Sequence, residues 1–261
     1  MAGLMDALWV ELLKARRSRL PWLSAIGISL APLVGGLFMV VLKDPEWARR
    51  LGLISSKAQL TAGTADWPTY FDLLAQAVAV GGLIVFGLVA IWEFGREYAD
   101  RTAKDLLALP TSREAMVLAK FAVVAGWSAV LTLIVYLLGL AVGFAVGLPG
   151  WSAGLAAESA VRLATTAGLT IALVAPLAWA ASAGRGYLPP VGALFLAIFL
   201  SQVIALLGWG SYFPWSVPAL YSGVAGPDGQ GVGIAAFLIV GLTGIVGVAG
   251  TAAWWRFADQ T

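Results

Sequence analysis

Neither cysteine nor histidine occurs in the 261 residues. Thiolate or imidazole metal sites, cysteine nucleophiles and histidine-based triads are therefore excluded from this chain. Charge is scarce as well: charged residues make up 11% of the sequence, well below the share usual in a soluble domain. Basic and acidic residues nearly balance at a net charge of +2, and no basic block or stripe marks a nucleic-acid footprint. The phosphate-cradling pattern GxxxxGK(S/T) is missing, so ATP hydrolysis is not expected of this chain. The opening residues are not expected to be a signal peptide, because Asp6, Glu11 and Lys14 interrupt their apolar positions and the basic cluster follows them.

What is abundant is apolar. Hydrophobic residues reach 60% and the mean hydropathy is +0.88, which puts a membrane protein ahead of any soluble class. Residues 3–19 read as an amphipathic helix. Leu4, Leu8, Leu12 and Met5, Trp9, Leu13 repeat at a spacing of four on adjacent rows, and Asp6, Glu11, Lys14 and Arg17 fall mostly elsewhere. Such a helix is expected to lie in the membrane interface. Lys14, Arg16, Arg17 and Arg19 would then sit beside anionic head groups.

Six spans follow, at about 20–42, 70–92, 121–148, 156–183, 188–207 and 231–255. Pro21 suits the first turn of the first span, interior Pro32 is expected to kink it, and Pro149-Gly150 is expected to stop the third. Residues 43–69 read as a polar loop with Trp47 and Trp67, and residues 208–230 as an irregular aromatic segment. No tandem repeat or second soluble domain is visible. The expectation is an all-α, polytopic chain forming a single transmembrane domain over 1–261.

Basic residues near span ends set the orientation. With the N terminus inside, the inner side holds Lys14, Arg16, Arg17, Arg19, Arg96, Arg101, Lys104, Arg113, Lys120, Arg185 and Arg256. The outer side holds Lys43, Arg49, Arg50, Lys57 and Arg162, so both termini are expected in the cytoplasm.

The stretch from Glu93 to Lys120 is the one long charged run between two strongly apolar segments. Thr102 to Leu109 can form a short helix, with Asp100 or Arg101 before it, an apolar edge of Leu106, Leu107 and Leu109, and Pro110 after it. Thr111-Ser112-Arg113-Glu114 matches a capping box, with Thr111 as N-cap, which would open the helix leading into the third span. A transverse helix below the membrane could insert its leucine edge into a soluble partner; an ordinary solvated loop would carry the same charges.

These residues also carry a resemblance. Glu97, Arg101-Thr102, Leu106-Leu107, Pro110, Ser112-Arg113 and Lys120, at their spacing, resemble the signature of ATP-binding-cassette (ABC) permeases of the type-2 exporter class. Gly184 to Pro190 and Tyr212 to Pro218 resemble the bacitracin and lantibiotic-immunity subgroup of that class. Members commonly carry glycine where this chain has Arg101. The resemblance implies two paired permease chains, identical or sister, each resting a coupling helix on a separate ATPase subunit. The coupling residues would be Glu97, Asp100, Arg101, Thr102, Lys104, Leu106, Leu107, Pro110 and Arg113. ATP and magnesium would belong to the ATPase, leaving this chain without a cofactor, a metal or a catalytic residue. In the family, short re-entrant helices join the fifth and sixth spans, so Trp209, Tyr212, Phe213, Pro214, Trp215 and Pro218 are expected to form an outer gate. The cargo implied is an amphiphile such as a peptide antibiotic or a lipid, moved across a prokaryotic cytoplasmic membrane. Sodium extrusion also occurs among related permeases.

The remaining polar residues are few. Glu158 and Arg162, four apart in the fourth span, are expected to pair on one helix face, and Asp72 reads as a shallow structural charge. Thr165, Thr166, Thr170, Ser201 and Gln202 are expected to join helices, and the glycines of the sixth span to permit close helix approach. Between Tyr187 and Trp255, Asp228 is the only charge, which counts against a proton-coupled secondary transporter. A membrane enzyme lacks a plausible carboxylate pair or Ser/Lys site; a non-transporting scaffold or sensor could keep the charged stretch for docking.

Overall fold

The computed structural model describes residues 2–44, 50, 63–102, 111–223 and 232–257. Every regular element among them is helical. In chain order they are α1 (Ala2–Arg17), α2 (Leu20–Lys43), α3 (Trp67–Ala99), α4 (Arg113–Val146), α5 (Ala153–Leu173), α6 (Ala175–Ala183) and α7 (Leu188–Leu206). Two 3-10 turns follow, Gly210–Tyr212 and Pro214–Ser216, then α8 (Val217–Tyr221) and α9 (Ile234–Phe257). Six helices are long and apolar enough to cross a membrane, α5 and α6 counting as one.

The third element, α3, is the hub. It is the most enclosed of the six, and it packs against α2, α4, α5, α6 and α7. Its Tyr70, Phe86 and Phe94 are completely buried. At 33 residues it is about 50 Å long, against a hydrocarbon core of about 30 Å, so it projects well past one membrane face. Trp67, expected in the polar loop, is instead in its first turn and buried, donating its backbone N–H to Pro149 O at 3.1 Å. Phe71, Phe144 and Trp151 surround its ring, and that apolar cage is why it joins the helix. Trp47 lies outside the described residues.

Several boundaries differ from expectation for local reasons. The fourth span is not continuous. Pro176 lacks an N–H, and the helix breaks at Val174 into α5 and α6. The third span stops at Val146, before Pro149, because Gly147 takes a left-handed φ of 67° and its N–H caps Phe144 O. The N-cap of α4 is Ser112 rather than Thr111: the Ser112 hydroxyl accepts from the Ala115 N–H at 3.2 Å, one residue on from the expected box. The first span, α2, continues as helix through Pro32.

Among the uncharged side chains of the spans, cross-helix hydrogen bonds come from aromatic residues, not from the expected hydroxyls. Thr165, Thr166, Thr170 and Ser201 all donate to carbonyls of their own helix. That local bond satisfies a hydroxyl where water is absent. Tyr70 instead donates to Pro32 O, Tyr136 to Ala156 O, Trp127 to Ser24 Oγ and Trp255 to Ser182 Oγ, at 2.8 to 3.0 Å. Lys43, at the end of α2, donates to Val146 O and Gly147 O and so caps α4.

Candidate functional site

At the end of the bundle formed by α1 and the C-terminal third of α3, charge from three helices is folded inward. Glu93 and Glu97 lie one turn apart on α3 and are both buried. Lys120, eight residues into α4, is fully buried. Its ammonium lies 3.1 Å from Glu97, 3.3 Å from Glu11 and 3.6 Å from Glu93, and donates to Glu93 O at 3.0 Å. Lys14 on α1 bridges Glu11 and Glu97, each at 3.0 Å. Arg96 adds a contact to Glu97 at 3.4 Å while stacking over the Trp92 ring. Three carboxylates thus face three cations, the balance a water-poor interior requires.

This arrangement corrects the expected partner of Lys14, not the outward apolar side of α1. Ala7, Glu11 and Lys14 fall on one stripe that faces the bundle, while Met5 and Trp9 are 67% and 68% exposed. The apolar side is outward, and an acid and a base dock the helix. Lys14 is therefore held by Glu97 rather than by lipid head groups. Burial pushes the Glu11 carboxyl up, but Lys120, Lys14 and hydrogen bonds outweigh it and hold the group below its ordinary range.

The same network reaches the chain beyond α3. Glu97 Oε2 accepts from the Thr102 hydroxyl at 2.8 Å. The backbone closes the helix end: Thr102 N–H bonds Glu97 O at 2.9 Å and Arg101 N–H bonds Tyr98 O at 3.2 Å. This is a Schellman cap with Arg101 at the left-handed position, φ 59°. Glycine meets no Cβ penalty there, which gives a physical reason for its frequency at this position in the resembling permeases. Arg101→Gly is expected to fold normally and to gain about 1 kcal/mol, seen as a raised melting temperature in detergent; a lower melting temperature would show that the guanidinium holds the cap.

Five of the nine expected coupling residues lie among the described residues at this end. Glu97 is in the network, Asp100 and Arg101 are exposed at the cap, and Thr102 is tied back to Glu97. Arg113 donates to Trp255 O and Arg256 O at 3.0 and 3.2 Å, capping the C-terminal end of α9. Lys104, Leu106, Leu107 and Pro110 lie outside the described residues. The turn Gly184 to Tyr187 docks on the same end of α3: Tyr187 fits against Gly95, where a Cβ would approach its ring to 2.8 Å. Burial and nearby Asp100 push the Tyr187 hydroxyl up. Glu11, Lys14 and Glu93 were absent from the expected set, and Lys120 stood in the sequence signature without a role. The available signal was a lysine inside an apolar helix, which needs a partner wherever it is placed.

At the opposite end, Trp209 to Pro218 forms the two 3-10 turns and the start of α8. Trp209 and Tyr212 are exposed, Phe213, Pro214 and Trp215 are half-buried, and Pro218 is buried. The Ser216 hydroxyl ties the segment to Ser201 O on α7 at 3.0 Å. The expected Glu158–Arg162 pair does not form: Arg162 bonds Asp72 on α3 and Ser222 O beyond α8, and Glu158 is exposed. A partner on the next helix wins because it also closes the end of the aromatic segment.

Comparison with known proteins agrees with this architecture. The family model described as ABC-2 family transporter protein matches residues 7–202, from α1 into α7. A bacitracin transport permease protein of Bacillus licheniformis is 27% identical over 192 residues, covering 73% of this chain and 91% of that protein. The network and the cap at Arg101 lie inside the family match; the aromatic segment lies beyond it. The chain is a multi-pass membrane permease, and it belongs to the ABC-2 family of transporter proteins.

Proposed function

We propose that this chain is the membrane-spanning subunit of an ABC exporter that moves an amphiphile, driven by ATP hydrolysis on a separate ATPase subunit. The observation that carries the reading is the anchoring of Thr102. The first residue of the charged connection is bound to Glu97, and Glu97 is bound to α1 and α4 at once. A push on the connection is thereby delivered to three helices rather than dissipated in a loose loop.

In this reading Asp100 to Pro110 meets the ATPase, with Leu106 and Leu107 filling a cleft and Lys104 setting the register. Both termini are cytoplasmic, the membrane is the prokaryotic plasma membrane, and a second permease chain, identical or sister, completes the path. The aromatic segment from Trp209 to Pro218 is the outer gate, held by Arg162 at Ser222. An amphiphilic cargo is supported by the similarity to a permease named for bacitracin transport.

The test is co-purification from the native membrane of wild type and the Leu106→Ala/Leu107→Ala variant. A nucleotide-binding subunit is expected with wild type and is expected to be lost with the double variant. Equal recovery with both would remove the leucine pair from the interface. Recovery with neither, from folded protein, would favour a scaffold or sensor.

A further inference from the structure

A groove of about 620 Å³ opens between α1, α2 and α4, within the size range of small-molecule sites. On α4 its wall runs from Ala122 to Ile134, a rise of about 18 Å, close to the depth of one leaflet's hydrocarbon. Trp9, Trp22 and Trp127 supply the aromatic sides. Trp127 is fixed by its bond to Ser24 Oγ at 2.9 Å, while Trp22 is 74% exposed where the groove opens sideways.

Two polar groups stand out in this apolar lining, Glu93 and Arg16. Glu93 is 1% exposed; its carboxyl faces that of Glu11, and neither of its oxygens accepts from an N–H or a hydroxyl among the described residues. Its nearest cation, Lys120, stands at 3.6 Å. A buried carboxylate without a donor calls for one. Arg16 is exposed at the edge and has no hydrogen bond or ion pair with the described residues, so its guanidinium is open to an anion.

We propose that this groove binds one phospholipid whose head carries both a phosphate and a primary ammonium, taken from the leaflet that borders α1. The phosphate pairs with Arg16, the ammonium donates to Glu93, and an acyl chain lies along α4 toward Ile134. An anion alone would leave Glu93 unsatisfied, and a cation alone would leave Arg16 unsatisfied. A soluble zwitterion would leave the three tryptophans without an apolar partner. Glu93 is one turn from Glu97, so the bound ammonium adds to the network that holds Thr102.

The test needs no ATPase, so its outcome is independent of the proposed coupling. Purified protein in detergent is titrated with palmitoyl-oleoyl phosphatidylethanolamine, phosphatidylcholine and phosphatidylglycerol, and adducts are read by native mass spectrometry. One ethanolamine lipid per chain is expected, held about tenfold more tightly than the choline lipid, which has no N–H donor, or the glycerol lipid, which has no cation. Gly126 faces open space in the groove, so Gly126→Leu fills it without displacing protein atoms. Gly126→Leu and, separately, Arg16→Ala are each expected to weaken ethanolamine-lipid binding about tenfold. Equal affinity for all three lipids, a preference for the glycerol lipid, or undiminished binding by either folded variant would overturn the assignment.

Discussion

Lys120→Met is expected to lower the melting temperature more than any other single substitution in the ion network. The substitution keeps length and apolar stem but removes the one cation that touches Glu11, Glu93 and Glu97 together. Lys14 and Arg96 still serve Glu97, and Lys14 serves Glu11, but no other salt bridge reaches Glu93 among the described residues. Removing one partner of a buried pair costs about 3–5 kcal/mol, because the charge left behind has neither water nor counterion. That loss is a large fraction of the roughly 5–15 kcal/mol that holds a typical domain folded. Thermal unfolding of the detergent-solubilised protein, followed by the loss of its monodisperse chromatographic peak, measures it. The companion variant Lys120→Met/Glu93→Gln neutralises the acid left alone and is expected to recover a substantial part. An unchanged melting temperature for the single variant would show that water reaches the cluster.

Gly247→Leu carries the second large effect. A Cβ at Gly247 would lie 2.5 Å from Pro176 N and 2.6 Å from Ala175 C. Both are backbone atoms at the break between α5 and α6, so no side-chain rotation can relieve the overlap. Overpacking of this kind costs about 1–3 kcal/mol, and a leucine placed against backbone belongs at the upper end. The expected result is separation of α9 from α6, read as a melting temperature lowered by several degrees and faster proteolysis within α9. Gly241 has nothing within 4 Å of its Cβ position, and Gly241→Leu is the matched control expected to leave stability unchanged. Should Gly247→Leu melt with the control, the glycines would not be holding the two helices together.

The position of these residues in the sequence shows how much could be read directly. The six spans, the helix start near Ser112 and the small-residue face of α9 follow from apolar run length, turn residues and glycine spacing. Each is a local property. The break at Val174 was also encoded locally, in Pro176, but a continuous apolar run concealed it. The cap at Arg101 is the opposite case: only the backbone bonds from Thr102 and Arg101 show that the position asks for a left-handed residue.

Pairing was far less legible. Arg162 had an acid four residues away on its own helix and took Asp72 instead. Lys14 stood in a basic cluster suited to lipid head groups and turned inward to Glu97. In both cases the partner is distant in sequence, and the energy depends on how completely water is excluded around the pair. No periodicity reports that.

The sequence by itself determined an all-helical membrane chain with six spans, and its lack of cysteine and histidine excluded thiolate and imidazole chemistry. Those conclusions rest on composition and on runs one helix long. Only the tertiary structure decided that the end of α3 is an ion network joining α1, α3 and α4, because a buried charge takes whichever opposite charge packing brings within about 4 Å. The same packing left Glu93 without a donor beside an apolar groove, a condition that exists only once α1, α2 and α4 have closed around it.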